Sequence, residues 1–158
     1  MNNVPLWESW EQLSTVILPF MLRCGVAALC GAMIGLEREL KNKAAGFRTN
    51  ILICVGAAIY MCSGLLLTNA GGAPGDPARI AAQVVTGIGF LGAGCIIQAG
   101  GRGTGLTTAA TIWVVASIGI VAGAGFPLLA LVAAWMVLLT LAVLGQFEKR
   151  YLDPTRAE

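Results

Sequence analysis

Five apolar runs of about twenty residues, separated by short polar breaks, determine what this chain can fold into. They are Leu13–Leu36, Ile51–Leu67, Ile80–Gln98, Leu106–Gly125 and Phe126–Phe147. A helix needs roughly 20 apolar residues to cross a hydrocarbon core about 30 Å thick, so each run is long enough to span it. A soluble fold would alternate apolar and polar faces, and these runs do not. The expected fold is an all-α integral membrane protein of about five transmembrane helices. Residues 1–12 form a short N-terminal segment, 13–147 the membrane domain and 148–158 a tail.

Composition narrows the function. Charged residues make up 11% of the 158 and hydrophobic residues 57%, against roughly 25% charged in soluble domains. One five-helix domain fits this length, and a soluble catalytic domain beside it does not. The chain has no histidine, which removes His-based acid–base catalysis, the Ser-His-Asp arrangement and His-ligated zinc. No catalytic residue is assigned, no cofactor is expected and no metal site is identified. A net charge of +2 does not point to nucleic acid. Cys24, Cys30, Cys54, Cys62 and Cys95 all lie inside spans without a CxxC pair, and read as small buried hydrophobes.

The basic residues segregate. Counting alternate sides, one side receives Arg38, Lys41, Lys43, Arg48, Arg102, Lys149, Arg150 and Arg156, and the other only Arg79. Cytoplasmic loops carry the excess of Lys and Arg, which places the N-terminus outside and the C-terminus inside. The N-terminal segment has Glu8 and Glu11 but no basic residue, unlike a cleavable signal, so span one is expected to be retained. Trp7 and Trp10 then sit at headgroup level.

In the first cytoplasmic segment, Glu37 with Lys41 and Glu39 with Lys43 stand four apart in the favourable order for helical ion pairs. Span one is therefore expected to run a turn or two beyond the membrane, until Gly46. The motif Glu37, Arg38, Glu39, Arg48, Thr49 and Asn50 is either a solvated helix end near anionic headgroups or a docking or ion-sensing patch. Across the membrane, Asp76 and Pro77 form a helix start, cap followed by first helical position. Arg79 is placed to pair with Asp76. A lone carboxylate is thin for Mg²⁺.

Span three contains Gly87-Ile-Gly-Phe-Leu-Gly92, which matches GxGxxG. A dinucleotide site needs a strand before that motif and a helix after it, whereas these glycines lie mid-span. Gly87, Gly89 and Gly92 instead suit close helix packing, as do Gly31 and Gly35 in span one. Spans one and three are expected to pack together. The alternative is a helix broken at Gly87–Gly94 beside a midplane cavity.

Polar residues within hydrocarbon are costly, about 2.5–3.5 kcal/mol for a charge at the bilayer centre. Arg23, Gln83 and Thr86 lie in the outer half of their spans, below Asp76 and Arg79. They are expected to form one intramembrane cluster, as a structural pin or a functional site. Thr104, Thr107, Thr108 and Thr111 recur at helical spacing and share one face of span four. Those hydroxyls either bond their own backbone or receive an anion or a partner carboxylate at the helix N-terminus. No acidic residue lies deep in a span, which weakens a transporter reading without excluding it.

The order of these motifs resembles the MgtC/SapB family of bacterial inner-membrane proteins. The matching segments are Arg23, Gly31-Ala-Met-Ile-Gly-Leu-Glu-Arg-Glu39, Ala45-Gly-Phe-Arg-Thr-Asn50, Asp76 to Gly94, and Gly105-Leu-Thr-Thr-Ala-Ala-Thr-Ile-Trp113. The resemblance implies a five-helix membrane domain, a role in growth under magnesium limitation and, in pathogens, survival inside macrophages. It also implies that the protein modulates another membrane protein, such as the F-type ATP synthase, more than it carries magnesium. A homo-oligomer in the lipid bilayer is compatible with it. Many relatives continue into a soluble C-terminal domain, whereas this sequence stops at Glu158, and some carry Asn and Cys where this chain has Thr107 and Val114. On the matching positions, functional weight falls on Arg23, Glu37, Arg38, Arg48, Asp76, Arg79, Gln83 and Thr108.

Overall fold

A computed structural model describes residues 13–70, 76–98 and 105–145. Trp7, Trp10, Arg102, Thr104 and the 148–158 tail lie outside the described residues. Five helices are long and apolar enough to cross a membrane, with mean hydropathies of 1.8 to 2.5 over their most apolar windows. They are α1 (Leu18–Leu40), α2 (Phe47–Ala70), α3 (Pro77–Gln98), α4 (Leu106–Gly123) and α5 (Pro127–Leu139). A π-helical turn, Leu13–Ile17, leads into α1, and another, Thr140–Leu144, continues α5. Among the described residues there is no strand.

Helix boundaries follow local chemistry. Asp76 Oδ1 accepts the Ala78 N–H at 2.9 Å, and Pro77 opens α3, as the cap-and-proline pattern predicts. α1 ends at Leu40 and not at Gly46, because Asn42 turns the chain with a left-handed φ of 51°. α2 then begins at Phe47, four residues before the apolar run. α4 closes in a Schellman turn. Gly125 takes φ 98°, its N–H bonds Ala122 O, and the Phe126 N–H bonds Val121 O. That turn reverses the chain directly into Pro127 of α5.

Small residues bring the helices together. The core is formed by Ala27, Cys30 and Ile34 of α1, Cys54, Ala57 and Ala58 of α2, Val115, Ala116, Ile118 and Ala122 of α4, and Ala130 and Ala134 of α5. Without a hydrophobic drive between helices in lipid, such residues allow close van der Waals contact. A Cβ on Gly31 would meet Asn50 O at 2.7 Å, and one on Gly35 would meet Phe47 Cα at 2.9 Å. The small-residue face of span one thus packs on α2, correcting the expectation that it packs on span three. On α4, Gly119 and Gly123 lie against Cys54 and Ala58 of α2, so α2 and α4 run parallel. α3 is an unbroken helix that packs on α4, where Gly92 meets Ala109, and more lightly on α2. Among the described residues a Cβ on Gly87, Gly89 or Gly94 would meet nothing within 4 Å, so of the span-three glycines expected to serve close packing only Gly92 does.

Candidate functional site

The buried polar residues of the described chain are Arg38, Asn50, Thr108 and Thr111. Arg38 ends α1, Asn50 begins α2, and the two threonines begin α4. The loop 41–46 joins the first two helices, and α2 and α4 are parallel. All four residues therefore occupy one end of the bundle. Burial of Arg38, 3% exposed, excludes for it the solvated helix end that its charged surroundings suggest.

Glu37 organises this end. Its Oε2 accepts from Arg38 Nε at 2.5 Å, and its Oε1 pairs with Lys41 Nζ at 2.6 Å, the expected i,i+4 contact. Lys41 Nζ also donates to Leu141 O at 3.1 Å, tying α1 to the π turn after α5. Asn50 is fully buried and donates through Nδ2 to Ala45 O at 2.9 Å and Gly46 O at 2.8 Å. Its Oδ1 is buried without a donor among the described residues.

Among the described residues Glu39 forms no ion pair with Lys43. Its Oε2 accepts the Phe47 N–H at 2.9 Å, satisfying one of the free donors at the start of α2. A Cβ on Gly46 would collide with that carboxylate, so the glycine makes room for the cap. Glu39→Ala and Gly46→Ala should each destabilise by about 1 kcal/mol, the usual worth of an N-cap. Because both remove one contact, the double variant should fall well short of the sum of the two. Thermal unfolding of the four proteins in detergent checks this, and simple additivity would show that Gly46 has another role.

The threonine face divides. Thr108 and Thr111 are buried, Thr107 is exposed, and Thr104 lies outside the described residues. Thr111 Oγ1 donates to Thr107 O at 2.7 Å, the backbone bond open to any helical threonine. Arg48 and Thr49 are exposed.

The expected cluster around Arg23 is not assembled. Arg23 Nη1 donates to Gly123 O at 3.1 Å, and Cys62 Sγ donates to the same oxygen at 3.3 Å. The last carbonyls of a helix lack intrahelical donors and carry the negative end of its dipole, which favours a cation there. Arg23 thus caps α4 beside Gly125, at the end of the bundle opposite Arg38. Thr86 Oγ1 bonds Ala82 O of its own helix at 2.9 Å. Arg79 and Gln83 face a cavity between α2 and α3, and among the described residues Asp76 forms no ion pair with Arg79. The partner of Arg23 could not be found from residue types, because a backbone carbonyl has no letter in the sequence.

Comparison with known proteins places this arrangement. The model of the MgtC family matches residues 24–150. The chain belongs to the MgtC family. It is 40% identical to "Protein MgtC" of Salmonella typhi over 150 residues, covering 87% of this chain and 63% of that protein. It is 43% identical over 141 residues to "Putative magnesium transporter YhiD" of Escherichia coli K12, covering 85% and 64%. "Protein MgtC" of Brucella abortus is 43% identical over 118 residues, covering 75% and 48%. The chain thus spans about half to two thirds of the length of these MgtC-family relatives. No solved structure matches.

Proposed function

We propose that this protein is a non-enzymatic component of the bacterial inner membrane. It supports magnesium homeostasis, and growth at low magnesium, by acting on another membrane protein. The observation that carries this reading is where the buried polar groups lie. Arg38, Asn50, Thr108 and Thr111 gather at one end, while Cys30, Ile34, Cys54, Ala57, Val115 and Ala116 fill the middle. A conducting path needs polar groups or water through that middle. Among the described residues no group of three acidic, cysteine or histidine side chains is placed to hold a metal ion. Family membership supplies the link to magnesium, with the polar end on the cytoplasmic side as the charge distribution predicts. An ATP synthase-like partner, and a role in survival inside macrophages, belong to the same reading.

The second reading is a magnesium transporter, favoured by the name of the Escherichia coli relative. Mg²⁺ uptake into proteoliposomes separates the two, with Arg23→Ala and Glu37→Ala beside the unchanged protein. Each protein is first checked for a single peak in size exclusion. The expected result is uptake no greater than in empty vesicles. Uptake that either substitution abolishes in a folded protein would establish transport.

A further inference from the structure

Gly56 and Gly87 pose a problem that close packing does not solve. Glycine weakens a helix interior relative to alanine, and in membrane helices it is usually offset by a neighbour's approach. Gly31, Gly35 and Gly123 have such neighbours at 2.9 Å or less, but at Gly56 and Gly87 a Cβ would meet nothing within 4 Å. Both residues line one cavity of about 840 Å³ between α2 and α3, within the roughly 300–1,000 Å³ usual for ligand pockets. The two helices touch where Ile80 fills the space over Gly64. Along the rest of the gap the missing side chains of Gly56 and Gly87 leave it open.

The gap is polar at one end and apolar along the rest. Arg79 and Gln83 stand one turn apart on α3, with Tyr60 of α2 in the same lining, and Leu91 marks the far end. All three polar side chains are exposed, and among the described residues none has a hydrogen-bond or ion-pair partner. The Asp76 carboxylate is turned to the Ala78 N–H. At 1.5 Å per residue, Arg79 to Leu91 is about 18 Å, close to the half-thickness of a hydrocarbon core about 30 Å across. Arg79 lies two residues after the start of a spanning helix, at the level of lipid headgroups. A guanidinium there presents a fork of donors matched to phosphate oxygens.

We propose that this groove is a binding site for one anionic phospholipid, its phosphate held by Arg79 and Gln83 and one acyl chain lying over Gly56 and Gly87. The site is independent of the magnesium reading and stands or falls without it. Native mass spectrometry of the purified full chain tests it, using phosphatidylglycerol and phosphatidylethanolamine at equal concentration. The unchanged protein should retain one phosphatidylglycerol at least five-fold more than phosphatidylethanolamine. Arg79→Gln should erase that preference. Gly87→Leu, and Gly56→Leu from the opposite wall, should reduce retention at least five-fold, because each side chain grows into open space without displacing protein. Gly89→Leu, also in open space but outside the lining, should leave retention unchanged.

Equal retention of both lipids would overturn the proposal, as would groove-filling variants that bind like the unchanged protein. Loss with Arg79→Gln alone would restrict binding to a phosphate at the helix end and refute the chain-holding groove. Conversion of a dimer to a monomer by Gly87→Leu would assign the groove to a second copy of this chain and refute the lipid.

Discussion

Gly119→Ala should lower the stability of the bundle by about 2–3 kcal/mol, as overpacking of a tight core does. A methyl group there would run into Cys54 O and lie 2.9 Å from Ala57 Cβ. Since the first obstacle is backbone, no rotamer change relieves it, and α2 must move away from α4. Gly123→Ala, facing Ala58 O at 2.5 Å, should behave alike. Gly89→Ala and Gly94→Ala provide the contrast, because a Cβ at either meets open space. They should be neutral or stabilise by up to about 1 kcal/mol through helix propensity. Thermal unfolding in detergent, followed by size exclusion, reads all four. Equal effects at the four positions would mean that α4 does not approach α2 as closely as described.

Glu37→Ala should be the most damaging single change at the polar end, costing about 3 kcal/mol or more. It leaves the Arg38 guanidinium buried without its anion, and breaking a buried pair from one side is far worse than removing both partners. Lys41 loses one contact and keeps Leu141 O. The double variant Glu37→Leu with Arg38→Met should therefore recover much of the lost stability. That rescue separates a structural role from a functional one: a stable double variant that still fails to support growth at low magnesium would assign the pair to function. A Glu37→Ala protein as stable as the original would show that Arg38 has another counter-charge.

The five spans were legible because lipid imposes a length and an apolar composition on each helix, and both are written in single residues. The Asp76–Pro77 start was legible for the same reason, since a cap and its proline are local. Partner choice was not. Gly31 and Gly35 announce that some backbone comes close, but a small-residue stripe presents the same face to α2 as to α3. Burial of Arg38 was hidden because Glu37 and Lys41 beside it give the pattern of a solvated helix end. Only the approach of α2, led by Asn50, converts that pattern into an interior. Glu39 was matched to Lys43 by spacing, yet the backbone N–H of Phe47 competes for the same carboxylate and wins once the chain turns at Asn42. Arg23 found a carbonyl at a helix end, and Cys62 shares it; a thiol and a guanidinium so far apart in the chain carry no mutual signal.

α3 buries Gly92 alone among its described side-chain positions, while α4 buries nine residues over its 18. Its attachment to the rest of the molecule is correspondingly shallow, and elements with few buried contacts are those that move at least cost. α1, α2 and α4 are locked by backbone-to-backbone approach at Gly31, Gly35, Gly119 and Gly123. α3 lies outside that lock, resting on α4 where Gly92 meets Ala109 and on α2 where Ile80 fills the space over Gly64.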